Sequence, residues 1–223
     1  MRTIDAREGI RITQTSTTAS LLAKVLWITT VGFLITAFGA WIAPESLGVG
    51  FLGVAILSFG LIFAISYASR RSPGLALGLF YVFTLVEGVL IGPMLQMYLH
   101  MANGQNIVFE AAATTAVGMA VMAAIAQVAQ FDYRRVSGYL FGALIGLVVI
   151  GVVSMFVSFV SPGLYAWAGL VIFGGLLLVD FMRLRDSPAG TSPVLLAVSI
   201  YLDALNIFLF LLQIFGGGNR RRS

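Results

Sequence analysis

The sequence predicts an all-α integral membrane protein with seven transmembrane helices in a single domain. Of the 223 residues, 59% are hydrophobic and only 10% are charged, whereas soluble domains average about 25% charged residues. The mean hydropathy of +0.99 is too high for a globule with a polar surface. Several apolar runs exceed about 18 residues, which is enough to span a bilayer. These runs do not alternate at every second residue, so a transmembrane β-barrel is a poor alternative.

The chain divides into a polar beginning, a long membrane domain and a short basic end. Residues 1–19 are polar and mixed in charge, which predicts a flexible or interfacial tail. A cleaved signal peptide is the alternative, but the first apolar run is longer than the roughly 7–15 residues of a signal sequence. We therefore expect an uncleaved first helix, a membrane domain over residues 20–215 and a basic tail over residues 216–223.

Short turns separate the seven predicted spans. The spans are residues 20–43, 47–69, 75–99, 107–130, 136–160, 164–182 and 194–215. Four of the six connections contain proline beside polar or small residues, at Pro44, at Pro73, at Pro162, and at Pro188 with Pro193. Proline lacks an amide hydrogen and therefore marks helix ends. The turns leave no room for a soluble domain.

Glycine and proline inside two of the spans predict local features. The Gly92-Pro93 pair should kink or break the third helix. In the fifth span, Gly138, Gly142 and Gly146 recur at four-residue spacing, which favours close packing against another helix.

The distribution of basic residues predicts that the N-terminus lies in the cytoplasm. Arginines occur in the N-terminal tail and in the loops on the same side, at positions 2, 7, 11, 70, 71, 134, 135, 183 and 185. The three loops on the other side have no lysine or arginine, as the positive-inside rule expects. One feature disagrees, because seven crossings would put Arg220–Arg222 outside. The last segment either crosses or is re-entrant, and its length favours crossing.

Carboxylates within the apolar runs are the candidate functional residues, because a charge in the bilayer is costly and marks a function by default. Asp203 lies in the seventh span on a polar stripe with Asn206, which either bonds to another helix or lines an ion pathway together with Glu87. Asp180, near the end of the sixth span, is either functional or an interfacial acid paired with a nearby arginine. Glu87 lies near the middle of the third span.

The stripe on the seventh span continues beyond these residues. Ser199 precedes Asp203 on it, and Phe210 and Gln213 follow. For Gln213, as for Asn206, hydrogen bonding between helices is the favoured role.

Several functional classes have no support in the residues. Cysteine is absent, and the single histidine, His100, lies in a turn and cannot make a metal site alone. No phosphate-binding glycine loop and no serine or zinc hydrolase motif occurs. No basic surface suited to nucleic acid is present. We therefore expect neither an enzyme nor a resident cofactor.

Three segments resemble the Bax inhibitor-1 family, most closely its bacterial members. They are SIYLDALNIFLFLLQIFGGGNRR near the C-terminus, LLLVDFMRL before it and FTLVEGVLIGP in the third span. The resemblance covers the chain from about residue 20. It implies seven helices with the last one central and the other six around it, a bacterial inner membrane, and a pH-sensitive calcium leak.

The resemblance also assigns residues. The paired aspartates of the family fall on Asp180 and Asp203, and the arginine that closes the pore against them falls on Arg70, with Arg71 as the alternative. Glu87 matches an acid found in many members. Two carboxylates close together in a low dielectric share one proton and titrate as a unit. They would form a latch that holds while protonated and loosens when ionised.

These residues lead to one main hypothesis and two alternatives. The main hypothesis is a calcium-permeable leak channel or passive transporter gated by protonation of Asp180 and Asp203. Calcium prefers six to eight oxygen ligands, so the pair, with Glu87 as a further ligand, would bind it weakly. One alternative is a regulatory membrane protein whose residues 1–19 bind a partner such as a membrane quality-control protease. The other is a proton-coupled antiporter.

Overall fold

A computed structural model describes residues 6–154, 156–157, 160–188 and 190–219 of the chain. Within these ranges all regular structure is helical, and the elements are α1 (Ala6–Ile42), α2 (Gly50–Ala68), α3 (Pro73–Leu99), α4 (Gly104–Val128), α5 (Tyr133–Ser154), α6 (Pro162–Arg185) and α7 (Pro193–Asn219). All seven helices of the described ranges are long and apolar enough to cross a membrane. The predicted fold class is therefore confirmed. The last residues of the predicted basic tail, Arg220–Arg222 and Ser223, lie outside the described ranges.

Serine and proline fix the beginnings of two helices. Ser72 caps α3 by accepting a hydrogen bond from the amide of Leu75 at 3.3 Å, and Pro73 occupies the first turn. Ser161 caps α6 in the same way, accepting from the amide of Leu164 at 3.3 Å. Proline suits the first turn because its missing amide hydrogen would have no partner there. These caps place each helix start about two residues before the predicted one.

Helix α1 begins earlier than expected. Within the predicted flexible or interfacial tail of residues 1–19, the backbone from Ala6 onwards is helical, and α1 runs without interruption from Ala6 to Ile42. The membrane-spanning part of α1 is Ala19–Ile42. The preceding residues contain one glycine, Gly9, and no proline, so nothing ends the helix before the span. At 1.5 Å per residue this extension adds about 20 Å to the helix.

Helix α3 is not broken at Gly92-Pro93, so of the predicted kink or break the break is wrong. The helix continues from Pro73 to Leu99 with Pro93 inside it. This region packs closely on the end of α1, because a β-carbon at Gly92 would meet the backbone of Ala40 and collide with Ala43, the residue after α1.

The prediction of close packing along the α5 glycines is also wrong. A β-carbon placed at Gly138, Gly142 or Gly146 would meet nothing within 4 Å. The close approach occurs between α1 and α3, where a β-carbon at Gly88 would collide with backbone atoms of Thr36. Four-residue glycine spacing permits close packing but does not require it, because small residues can also line a cavity.

Helix α7 is the most buried element. Of its most apolar segment, 67% of the residues are buried, against 6–39% in the other helices. Its main contacts are with α1, α3, α4 and α6, while α2 packs chiefly on α3 and α5 on α6. In the described part of the chain α2 and α5 do not pack closely on each other, and a cavity extends between them. The elements that carry the predicted carboxylates therefore surround a common space.

Candidate functional site

A cavity of about 870 Å³ lies among α2, α3, α5, α6 and α7, and it is called the polar cavity below. Its polar lining residues are Ser58, Glu87, Arg134, Ser137, Asp180, Arg183, Ser199, Asp203 and Asn206. Polar and charged side chains are expensive in contact with lipid, so their convergence marks a functional region. The cavity lies towards the side of the membrane where α5 and α7 begin and α6 ends.

Asp180 and Asp203 meet in this cavity. They are 8% and 7% exposed, and their side chains hydrogen-bond to each other. The short linker between α6 and α7 makes the two helices antiparallel neighbours, which brings the last turns of α6 beside the first turns of α7. An ionised carboxylate only accepts hydrogen bonds, so a bond between two carboxyl groups requires a proton on one of them. The geometry therefore suits a pair that shares one proton.

The surroundings of the two aspartates differ. Arg183 Nη1 donates to Asp180 Oδ1 at 2.9 Å from one turn further along α6, and the Ser199 hydroxyl also hydrogen-bonds Asp180. Asp203 Oδ2 is buried and has no hydrogen-bond partner in the described part of the chain. Asp180 thus has a cation and a hydroxyl that stabilise an ionised carboxylate, while Asp203 has an unpaired oxygen. This asymmetry favours Asp203 as the holder of the shared proton.

Glu87 is held at the wall of the polar cavity by a hydroxyl. The half-buried Glu87 accepts a hydrogen bond from Ser58, which is 4% exposed and belongs to α2. This hydrogen bond joins α2 to α3. Ser58 could not be recognised in the sequence, because one serine in an apolar run gives no signal. Arg134 also lines the cavity, but in the sequence it resembles any other basic residue of an inner loop.

The two amide residues of the polar stripe on α7, Asn206 and Gln213, line cavities. The hydrogen bond that the structure describes for the Asn206 side chain stays within α7. Asn206 Nδ2 donates to the carbonyl oxygen of Leu202 in its own helix, at 2.8 Å. Its side chain lines the polar cavity, and Gln213 lines a second cavity at the other end of α7. The favoured role in hydrogen bonding between helices is therefore not what the structure shows for Asn206.

The structure does not bring Arg70 to the aspartates. Arg70 is exposed in the turn after α2 and is not among the residues that line the polar cavity. Its neighbour Arg71 lies over the ring of Tyr67, 4.4 Å from the centroid. Arg183 is instead the arginine that pairs with Asp180. The predicted role of Arg70 in closing a pore stays a prediction.

The acidic residues that the structure describes are not grouped as a compact metal centre. Among the described residues, no group of three or more histidine, aspartate or glutamate side chains is arranged to hold a metal ion. Asp180 and Asp203 offer two carboxylates, and Ser199 and Asn206 offer further oxygens nearby. Calcium would need water or backbone carbonyls to complete its six to eight ligands. The donor set is of the right chemical type for a passing calcium ion and too sparse for a storage site.

Comparison with known proteins agrees with the predicted family and the seven-helix fold. The family model described as "Inhibitor of apoptosis-promoting Bax1" matches residues 18–221, which include all seven spans. The chain belongs to the Bax inhibitor-1 family. Family membership confirms the resemblance seen in the sequence, and the seven apolar helices indicate a multi-pass membrane protein.

Similar proteins occur in several bacteria. An uncharacterized protein of Helicobacter pylori strain J99 is 31% identical over 203 residues, covering 90% of this chain and 84% of its own. One from Neisseria meningitidis serogroup A is 32% identical over 177 residues, covering 79% and 77%. An uncharacterized membrane protein of Streptococcus pyogenes serotype M1 is 28% identical over 174 residues, covering 74% of both chains.

Proposed function

We propose that this Bax inhibitor-1 family protein is a pH-sensitive, calcium-permeable leak pathway in a prokaryotic inner membrane. The observation that carries the proposal is the hydrogen-bonded pair of buried carboxyl groups, Asp180 and Asp203, inside a polar cavity between membrane-spanning helices. Intramembrane carboxylates of this kind mark ion and proton pathways. The bias of arginines towards one side supports a cytoplasmic N-terminus.

The aspartate pair acts as a pH-dependent latch. The two carboxyl groups attract each other while they share a proton and repel each other when both are ionised. With one shared proton, the carboxyl groups attract each other and hold α6 against α7. When that proton leaves, two negative charges about 4 Å apart repel by roughly 4 kcal/mol at an effective dielectric constant of about 20. Such an energy is comparable to those that separate conformational states of proteins, so it is enough to shift helix packing.

Calcium is the permeating ion, and the chain's own residues supply only part of its coordination. Asp180 and Asp203 attract the cation when ionised, while Arg183 competes with it for Asp180. Glu87 provides a further carboxylate on the wall of the same cavity. Weak binding at several positions suits passage, because an ion must leave each site as readily as it enters. This mechanism uses no cofactor and no enzymatic step.

Calcium flux into proteoliposomes tests the proposal. The wild-type flux should depend on pH, and both Asp180→Asn and Asp203→Asn should flatten that dependence, because neither variant can change the charge of the pair in the same way. The matched control is Glu110→Gln, which neutralises an exposed carboxylate in α4 outside the polar cavity. A pH profile that survives both aspartate substitutions contradicts the latch. Stoichiometric proton counter-flow would instead indicate a proton-coupled antiporter.

A second candidate function is regulation of a partner such as a membrane quality-control protease, without ion conduction. The observation that favours it is the helix α1, which continues as one helix for about 20 Å before its membrane span begins at Ala19. A continuous helix next to the membrane offers a defined surface to a partner helix. Deleting residues 1–18 separates the two functions. Under the leak proposal calcium flux survives the deletion, whereas loss of partner binding with no flux in the full chain favours regulation.

A further inference from the structure

A second cavity of about 500 Å³ lies at the opposite end of the helix bundle and is called the distal cavity. It is formed where α3 and α7 end and α6 begins, and its lining includes Met97, Tyr98, Met101, Trp167 and Gln213. The polar cavity lies where α6 ends and α7 begins. An ion that crosses the protein along α7 would therefore pass through both cavities and the protein between them.

The stripe of polar residues on α7 connects the two cavities and is interrupted by one phenylalanine. Asp203 and Asn206 line the polar cavity, and Gln213 lines the distal cavity. Phe210 lies between them at helical spacing, is 7% exposed, and lines neither cavity. Asn206 and Gln213 are seven residues apart, so the intervening barrier is about 10 Å long along the helix axis.

The ring of Phe210, on α7, packs against two aromatic rings of α6. Its centroid is 5.9 Å from that of Tyr165 and 5.9 Å from that of Phe173. Of the three rings, Phe173 lines the polar cavity, so the aromatic cluster begins at the wall of that cavity. Between the two rings lies the buried Gly169, where an added β-carbon would collide with three carbon atoms of the Phe210 ring. The ring is therefore seated directly on the backbone of α6.

From this arrangement we infer that Phe210, seated on Gly169, is the hydrophobic gate that separates the polar cavity from the distal cavity. The inference rests on the proposed leak function and adds the position of its barrier. An apolar constriction excludes water and therefore blocks hydrated ions. Separation of α6 from α7 would lift the ring off Gly169, and these are the two helices joined by Asp180 and Asp203. Loss of the shared proton would loosen the same contact that keeps the ring in place.

Replacing Phe210 tests the barrier through calcium flux. At the pH where wild-type flux is lowest, Phe210→Ala should raise flux by at least ~tenfold and weaken its pH dependence, because the apolar constriction is gone. The matched control is Phe208→Ala, which truncates the same residue type two positions away on α7, where Phe208 lines a separate apolar groove with Phe33 and Leu205. Flux through Phe208→Ala should stay within about twofold of wild type. A leak of equal size in both variants would mean general loosening of the bundle and would overturn the inference.

Thiol labelling tests the same barrier without relying on calcium. The chain has no cysteine, so a single cysteine can be introduced at Asn206 or at Gln213 without removing others. A membrane-impermeant thiol reagent applied on the N-terminal side should label Asn206→Cys and leave Gln213→Cys unlabelled, and the Phe210→Ala background should allow labelling of both.

The two experiments have distinguishable outcomes. Suppose that only Asn206→Cys is labelled when Phe210 is present, that both cysteines are labelled in Phe210→Ala, and that no calcium flux is measured. This result supports the barrier at Phe210 and rejects the leak function. Labelling of Gln213→Cys from the N-terminal side with Phe210 present rejects the barrier itself. A Phe210→Ala variant that leaves both flux and labelling unchanged also rejects it. Variants that elute as aggregates are replaced by Phe210→Leu, which keeps an apolar core residue and should show the same changes to a smaller extent.

Discussion

Replacing Arg183 by glutamine should move the pH profile of the protein to higher pH. Arg183 Nη1 lies 2.9 Å from Asp180 Oδ1, and its side chain is 47% exposed. At that distance the Coulomb attraction is about 6 kcal/mol for an effective dielectric constant of about 20 and about 1.4 kcal/mol in bulk water. Because the arginine is half exposed, screening brings the value towards the lower limit, and we take about 1–3 kcal/mol.

The sign of this shift follows from charge. The arginine favours the ionised form of its carboxylate partner, so its removal makes the pair keep the shared proton to higher pH. One pH unit corresponds to about 1.4 kcal/mol, so the midpoint of the flux profile should rise by about 1–2 pH units.

The assay is calcium flux in proteoliposomes across a pH series for wild type, Arg183→Gln and a conservative Arg183→Lys. The lysine variant should recover most of the wild-type midpoint, because it restores the positive charge. The matched control is Arg135→Gln, since Arg135 also bonds an aspartate three residues away, Asp132 at 3.2 Å, but its side chain is 84% exposed. A midpoint that does not move in Arg183→Gln, or moves equally in the control, refutes the role assigned to this ion pair.

Two further predictions concern stability and are measured by thermal unfolding in detergent. Ser58→Ala removes the hydrogen bond to the half-buried Glu87 and should destabilise the protein by about 1–3 kcal/mol, whereas Ser66→Ala, at an exposed serine that bonds only within its own helix, should change it little. Gly88→Ala forces a β-carbon into the backbone of α1 and should lower the free energy of unfolding by about 1–3 kcal/mol. Gly142→Ala, which meets open space, should be neutral, and equal losses in the two glycine variants would contradict the packing described here.

The sequence predicted the membrane fold because span length and hydropathy are dictated by the bilayer itself. The resemblance to the Bax inhibitor-1 family also predicted the pairing of Asp180 with Asp203, and the two helices that carry them are antiparallel neighbours. The three-residue spacing from Asp180 to Arg183 was also visible, and their ion pair is what that spacing permits in a helix.

Other features depend on contacts that a single sequence does not reveal. The α5 glycines such as Gly142 fit either a close helix contact or open space, and only the position of the neighbouring helices decides between them. Ser58 became a functional candidate only when α2 was found beside Glu87. Phe210 looked like one more apolar residue until both cavities and its seat on Gly169 were known.

Infrared difference spectroscopy in lipid is the most direct measurement of the shared proton. The experiment compares protonated-carboxyl bands at different pH values in Glu87→Gln, which removes the other carboxylate of the polar cavity, and then adds Asp180→Asn or Asp203→Asn. We predict one protonated-carboxyl band in Glu87→Gln at neutral pH that disappears on alkaline titration and is absent with Asp203→Asn. A spectrum without such a band, or a band that persists unchanged when Asp203 is replaced, would contradict a proton held between the two aspartates.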